Sequence, residues 1–231
     1  MNHNENYLEP EYTTTLEKHS LRTFGWLTLG LFITSAVAFL LSVSKLTYVL
    51  YDNPFIPVIL IFSQLGVCIT LGVRVKKMKP TTAKILFIVY SVLTGITFSA
   101  IGLLYTNATI ALAFLMTTIY FGSLVIIGFT TKMNLLRFGP IIFASLFSLI
   151  LVEVIMMLMG ANTDTMLFSA IGLLIFTALT AYDAQKMKAL YTKYEGDETM
   201  LRRLSIYSAF DLYLDFINIF LYILQFIGEK D

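Results

Sequence analysis

Charged residues are scarce in this chain of 231 residues: Asp, Glu, Lys and Arg make up 13% of it, against 57% hydrophobic residues. The mean hydropathy is +0.78, whereas soluble domains carry about 25% charged residues. The composition therefore excludes an ordinary soluble domain and predicts an integral membrane protein in contact with the lipid bilayer. The net charge of only +1 offers no general attraction for a polyanion, so we expect no nucleic-acid partner.

Cysteine and histidine are almost absent as well. Cys68 is the single cysteine, which excludes an intramolecular disulfide. The two histidines, His3 and His19, both lie in the polar N-terminal segment, so we expect no histidine-based metal site or catalytic triad within the membrane. No nucleophile and base stand at a usable spacing, and no phosphate-binding glycine loop is visible. We therefore expect no enzymatic activity and no cofactor.

Seven apolar runs alternate with polar connections, and most of them are close to the roughly 20 residues that cross the hydrocarbon of a bilayer. The runs cover residues 21–43, 54–73, 83–104, 108–130, 138–159, 166–182 and 206–228. Short connections make sequential helices antiparallel neighbours. The sequence thus predicts an all-α membrane protein with a single seven-helix domain over residues 21–231. A polar cytoplasmic tail over residues 1–20 is expected to precede it.

Basic residues are distributed unequally between the connections. The segments that follow the second, fourth and sixth runs hold Arg74, Lys76, Lys77, Lys79, Lys84, Lys132, Arg137, Lys186, Lys188, Lys193, Arg202 and Arg203. The alternate connections hold only Lys45. Because basic connections stay in the cytoplasm, the pattern predicts a cytoplasmic N-terminus and an external C-terminus. The C-terminal residues carry no endoplasmic-reticulum retrieval signal, which favours the plasma membrane of a bacterium.

An acidic residue in the last apolar run is the strongest functional signal. Asp215 needs a partner, a proton or a water-filled cavity, because lipid offers a carboxylate nothing. Asp211 and Asn218 lie about one helical turn to either side of it and share its face. Asp183 ends the sixth run and Arg74 ends the second run at the same side of the membrane. We expect these side chains to converge at the cytoplasmic mouth of the bundle.

Two carboxylates in a site of low dielectric constant do not both ionise cheaply, so we expect Asp183 and Asp215 to share a proton and to titrate as a unit. When both are ionised, they form an oxygen-rich transient site for calcium or a partner for Arg74. Proton, calcium and guanidinium would then compete for one place. Such competition is typical of a switch.

Each candidate also has an ordinary structural interpretation. Asp183 can be an interfacial carboxylate at a helix end, and Asp211 can pair with Arg202 or Arg203 near the interface. Arg74 can serve only to fix the topology. Glu153, in the fifth run, either marks an outer vestibule or reaches water from a tilted helix.

Two stretches resemble a known family. Residues 212–220, LYLDFINIF, closely resemble the last-helix signature of the Bax inhibitor-1 family, and residues 182–186, YDAQK, resemble the end of that family's sixth helix. The resemblance implies a last helix at the centre, wrapped by the other six, and a pH-sensitive calcium leak. It also implies that Asp183 and Asp215 are the proton-sharing pair and gate, with Arg74 as a latch. Asp211 departs from the family pattern, in which a small or neutral residue is expected.

Three functions follow as hypotheses. The first is a calcium leak channel gated by protons at the aspartate pair, with calcium as the permeant ion. The second is a regulatory protein that binds a membrane protease or another helical partner through its N-terminal tail and the small residues Ser91, Gly95 and Ser99. The third is a proton-coupled transporter, because buried acids also serve in proton relays. The prolines lie near helix ends, so the broken helices typical of transporters are not predicted.

Overall fold

The computed structural model describes residues 14–44, 46–160 and 166–228, and within these ranges the chain is helical, with no strands. The described α-helices are α1 (Leu16–Ser42), α2 (Leu46–Asp52), α3 (Phe55–Arg74), α4 (Pro80–Phe98), α5 (Ile101–Leu104), α6 (Asn107–Thr130), α7 (Gly139–Leu158), α8 (Met166–Lys193) and α9 (Glu198–Ile227). A 3-10 helix, Leu135–Phe138, precedes α7.

Seven spans are long and apolar enough to cross a membrane, as the sequence predicts. They are α1, α3, α6, α8 and α9, the stretch Pro80–Leu104 that joins α4 to α5, and the stretch Leu135–Met156 within the 3-10 helix and α7. The prediction of an all-α, seven-helix membrane protein is confirmed.

The helices at the charged ends are longer than the apolar runs. Helix α8 continues to Lys193, eleven residues beyond the predicted end, and α9 begins at Glu198, eight residues before the predicted start. Hydropathy marks only the part of a helix that lies in hydrocarbon, whereas Lys, Arg, Glu and Ala propagate a helix equally well in water. Asp197 caps α9 by accepting a hydrogen bond of 2.8 Å from the backbone N–H of Met200.

The N-terminal boundary also shifts. Helix α1 begins at Leu16, where Thr15 caps it, so residues 16–20 are helical rather than part of the predicted tail. His19, expected in that polar tail, is fully buried. The tail's residues 1–13 lie outside the described residues, and so does Lys45.

Helices α8 and α9 form an antiparallel hairpin whose turn contains Gly196 at φ +93°, a conformation that favours glycine. Helix α9 packs against α8, α1, α6 and α4, and half of its most apolar stretch is buried. Helix α3 packs mainly on α4, and α7 packs mainly on α8. A last helix wrapped by all six others therefore stays a prediction, while close packing with four of them is observed.

The start of α1 lies beside the α8–α9 turn. Arg22 forms an ion pair of 2.8 Å with Glu198, and the Tyr191 hydroxyl donates a hydrogen bond of 3.0 Å to the Thr14 carbonyl. Alternation along the chain places the α3–α4 and α6–α7 connections at this same end, which we name the basic end. The other end is called the opposite end below.

Candidate functional site

Helix α8 carries the first two members of a charged cluster. Asp183 and Lys186 are three residues apart and therefore lie on the same face of the helix. Asp183 lies ten residues before the end of α8, about 15 Å at 1.5 Å rise per residue, and not at a helix end as predicted. Its side chain is only 8% exposed. An interfacial carboxylate in water is thereby excluded for Asp183 in this arrangement.

Helix α9 adds two carboxylates to the same cluster. Asp211 and Asp215 lie one turn apart, and thirteen and seventeen residues after the start of α9. Counted from the start of the predicted apolar run at residue 206, they lie only five and nine residues along, because α9 begins eight residues before that run. Asp215 is 3% exposed, and its closest charged neighbours include Asp183 and Asp211.

The Lys186 ammonium group joins the two helices. Its Nζ lies 2.7 Å from Oδ2 of Asp211 and 3.2 Å from Oδ1 of Asp183, and it donates a hydrogen bond of 3.1 Å to the Tyr207 hydroxyl. It also lies 4.8 Å from the centre of the Tyr207 ring, within the range of a cation–π contact. An ammonium group has three N–H bonds, so these three acceptors satisfy it completely.

The Asp215 carboxyl group lacks such a complete set of hydrogen-bond partners. Its Oδ2 atom is buried and has no hydrogen-bond partner among the described residues, although the Thr180 hydroxyl faces the carboxyl group. A buried carboxylate without such partners is costly. With all three acids ionised, the cluster of Asp183, Lys186, Asp211 and Asp215 would carry a net charge of −2 in a site largely closed to water. Two protons or one divalent cation would neutralise it.

Arg74 is not part of this cluster. It is exposed at the last residue of α3, where Leu71 and Val75 take the buried positions, and it forms no ion pair with a described residue. The basic residue that pairs with the acids of the cluster is Lys186. The role of Arg74 as a latch stays a prediction.

Lys186 is the residue that the sequence interpretation missed. It was assigned to a connection, because the apolar run ends at residue 182. Had the helix been continued past that point, the spacing of three residues from Asp183 would have placed both on one face.

The other two predicted residues, Asn218 and Glu153, make their hydrogen bonds outside the acidic cluster. The Asn218 side chain donates a hydrogen bond of 2.7 Å to the Leu214 carbonyl of its own helix. Glu153 accepts a hydrogen bond of 3.4 Å from Tyr222, which links α7 to α9 nearer the opposite end. Asn218 and Glu153 therefore support α9 rather than complete the acidic cluster.

Asp211 pairs with neither of the arginines considered for it. Arg202 bonds to Glu198 at 3.0 Å, and Arg203 donates a hydrogen bond of 2.9 Å to the Lys76 carbonyl. Both arginines lie in the part of α9 that extends beyond the predicted run. Asp211 instead contributes to the cluster through Lys186.

The described residues contain no group of three or more His, Cys, Asp or Glu side chains arranged to hold a metal ion. With Lys186 between Asp211 and Asp183, the carboxylates are spread around an ammonium group rather than gathered around a metal. Calcium binding by Asp183 and Asp215 would need that ammonium to move, and it stays a prediction.

An apolar cavity of about 890 Å³ lies between α9 and the helices α1, α4, α5 and α6. Phe216, Ile217 and Phe220 of α9 line one side of it, and α1, α6 and the α4–α5 stretch line the rest. Asp215 directly precedes Phe216 in the chain, but the lining found among the described residues includes no member of the acidic cluster and no residue of α8.

Comparison with known proteins gives consistent matches along the chain. The sequence model of the family described as "Inhibitor of apoptosis-promoting Bax1" matches residues 16–231. The inner membrane protein YbhL of Escherichia coli K12 is 35% identical over 217 residues, which cover 93% of each chain. A protein of Rickettsia prowazekii is 32% identical over 93% of this chain and 91% of its own. A protein of Borreliella burgdorferi is 31% identical over 92% of each chain. Together with the residues 182–186 and 212–220 that surround the buried acids, these matches establish that the chain belongs to the Bax inhibitor-1 family.

Proposed function

We propose that this protein is a pH-sensitive calcium leak channel whose gate is the carboxylate cluster between α8 and α9. The observation that carries the proposal is the buried cluster itself, three carboxylates around one ammonium group. Evolution retains such groups inside membrane proteins chiefly for function, because they cost stability. Calcium is the substrate here, and not a resident cofactor, and no catalytic step is proposed.

The gating follows from charge balance. Protonated, the pair of Asp183 and Asp215 shares a hydrogen bond that ties α8 to α9 and keeps the path closed. Ionised, the two carboxylates repel each other and attract a divalent cation, so the helices separate and calcium enters. We therefore expect the leak to rise as pH rises through the range in which the cluster loses its protons.

The position of the cluster supports a gate rather than a binding site on the surface. Asp215 directly precedes Phe216, which lines the apolar cavity, and it lies near Asp183, Asp211 and Lys186. A shift of α9 would therefore move Asp215 together with the three α9 side chains that line the cavity. The cavity, with a volume of about 890 Å³, provides apolar space beside these three side chains.

We place the protein in the bacterial inner membrane with its basic end in the cytoplasm. The similarity to a protein named as an inner membrane protein supports the compartment. The excess of Lys and Arg in alternate connections supports the orientation. Calcium would then reach the cluster through the opposite end and leave at the cytoplasmic face.

The test is calcium-dye flux into liposomes that contain the purified protein, from about pH 5 to about pH 8. The wild type should pass calcium with a pH midpoint that is lost in Asp215→Asn and in Asp183→Asn, because one ionisable partner is gone. Asp52→Asn removes an exposed carboxylate at the opposite end and should leave the profile unchanged. Liposomes that stay calcium-tight at every pH would refute the leak.

The alternative, a regulator that captures a membrane protease or other partner, predicts that a deletion in the N-terminal tail abolishes partner binding, and a deletion of residues 2–12 tests this beside the flux assay. A deletion to residue 18 would be uninformative, because Thr14 bonds to Glu198 and α1 begins at Leu16. The leak requires that flux survives the shorter deletion. The small-residue face of α4 is not available to a partner, since a Cβ at Gly95 would lie 2.7 Å from Cβ of Val37 in α1.

The third candidate, a proton-coupled transporter, predicts a different result in the same liposomes. A transporter would move calcium against its gradient when a pH gradient is imposed, whereas a leak only dissipates the calcium gradient. Flux that stops at equal calcium concentrations on both sides supports the leak.

A further inference from the structure

Lys186 and Asp211 form a unit that the proton-sharing pair of Asp183 and Asp215 does not explain. Asp211 stands one turn from Asp215, and its Oδ2 atom is the closest charged partner of the Lys186 ammonium, at 2.7 Å against 3.2 Å for Asp183. The side chains of Lys186 and Asp211 are 21% and 16% exposed, so their attraction is only partly screened by water.

Without Asp211, the ammonium would still have carboxylates within reach. Lys186 shares a helical face with Asp183, and Asp215 retains a buried oxygen with no partner among the described residues. An ammonium group is a point charge on a flexible stem of four carbons. Released from Asp211, it would settle on the pair of Asp183 and Asp215 and satisfy that oxygen.

We infer that Lys186 is a tethered counter-ion that competes with calcium for the pair of Asp183 and Asp215, and that Asp211 sets the outcome by holding the ammonium to one side. Tyr207 assists Asp211, since it offers both a hydroxyl acceptor at 3.1 Å and the face of its ring. Asp211 and Lys186 are positioning residues in this account, and the cations bind to the other two acids. The inference rests on the proposed function for the identity of the cation.

The two residues therefore have opposite effects. Lys186→Met removes the competing charge and keeps the length of the side chain, so calcium should bind more tightly. Asp211→Asn releases the ammonium onto the pair, so calcium should bind more weakly. A hydrogen bond to a charged group is worth about 1.5–3 kcal/mol, which corresponds to a change of about tenfold or more in each dissociation constant. An ion pair that serves only stability would give changes of the same sign.

The experiment is equilibrium binding of radioactive calcium to the full-length protein in lipid nanodiscs, at one fixed pH. The wild type is compared with Lys186→Met, Asp211→Asn and Lys186→Arg. We expect tighter binding, weaker binding and binding close to the wild type, respectively. Shifts of equal sign for the first two variants, no shift, or no calcium binding in any variant would overturn the inference.

A double variant covers the case in which Lys186→Met does not fold because it leaves unpaired acids. Asp211→Asn with Lys186→Met removes one charge of each sign and should bind calcium more tightly than Asp211→Asn alone. Equal binding by these two would overturn the inference. Flux and binding also separate the two proposals. Opposite shifts in calcium binding without any calcium flux would refute the leak but would still support Lys186 as a counter-ion that competes with calcium.

Discussion

Asp215 is a buried acid, and its burial in this position costs stability. Its carboxyl group is almost completely buried, one of its oxygens has no described partner, and two further carboxylates lie near it. Packing does not require an acid at this position, because its neighbours along α9 are large apolar side chains that fill the core. This combination of burial and cost is the reason why we propose a binding role for Asp215.

Asp215→Asn should raise the thermal stability of the purified protein at neutral pH while it removes the pH dependence of flux. The substitution keeps the shape of the side chain and removes a buried charge, a change that is expected to stabilise by roughly 1 kcal/mol or more. Thermal unfolding in detergent, followed by loss of the monodisperse peak, measures this. Asp52→Asn, at an exposed position, should leave the unfolding temperature unchanged. A lower unfolding temperature for Asp215→Asn would show that the carboxylate has a structural role.

The sequence could predict the site residues that stand out against an apolar run. An acid inside an apolar run, such as Asp215, or at the end of one, such as Asp183, is visible without a structure, so both were predicted as site residues. Lys186 was not, because a lysine beyond the end of an apolar run resembles any other basic residue in a connection. Its importance depends on the continuation of α8 and on the facing position of Asp211, and neither can be read from hydropathy.

At the scale of helices, the number and order of the spans could be predicted and their ends could not. The apolar runs gave seven spans because hydrocarbon requires about 20 apolar residues in each. The extensions of α8 and α9 lie outside hydrocarbon and depend on helix propensity and on the Asp197 cap. They place the acids deeper in the hairpin than the sequence suggested, which makes the geometry of α8 and its neighbours decisive for the site.

Helix α6 supports the part of α8 that carries the acids through a close approach at Gly128. A Cβ at Gly128 would meet the Ala181 carbonyl oxygen and lie 2.8 Å from Cβ of Ala184, residues on either side of Asp183. Gly128→Ala should therefore push α6 away from α8 and cost about 1–3 kcal/mol, as overpacking does. The unfolding temperature in detergent should fall. The pH profile of calcium flux should change, because the part of α8 that carries Asp183 is displaced.

Gly122 provides the matched control on the same helix. No described residue outside the adjoining turns of α6 comes within 4 Å of a Cβ built at Gly122. Gly122→Ala should therefore be neutral or slightly stabilising, because alanine is the better helix former. If both alanine variants behaved alike, the close approach of α6 to α8 would not be important for the site.

At the scale of the molecule, one end of the bundle collects the basic connections, the start of α1 and the α8–α9 turn. The ion pair of Arg22 with Glu198 and the bond from Tyr191 to Thr14 fasten the chain's N-terminal segment to the hairpin that carries the acids. If the proposed gate opens by a movement of α9, that movement would strain or break these contacts. The side of the membrane on which this end lies decides which compartment can sense or drive that movement.

We expect the basic end to face the cytoplasm, because positively charged connections are retained there during insertion. Cys68 is the only cysteine, so Cys68→Ala gives a background in which a single new cysteine reports its own location. In intact cells, a membrane-impermeant maleimide should label Asn107→Cys, at the opposite end, and should label Lys79→Cys only after permeabilisation. Lys132→Cys, in the α6–α7 connection, should behave as Lys79→Cys does. The reverse pattern would place the acidic cluster near the external face, so that external protons rather than cytoplasmic ones would control the gate.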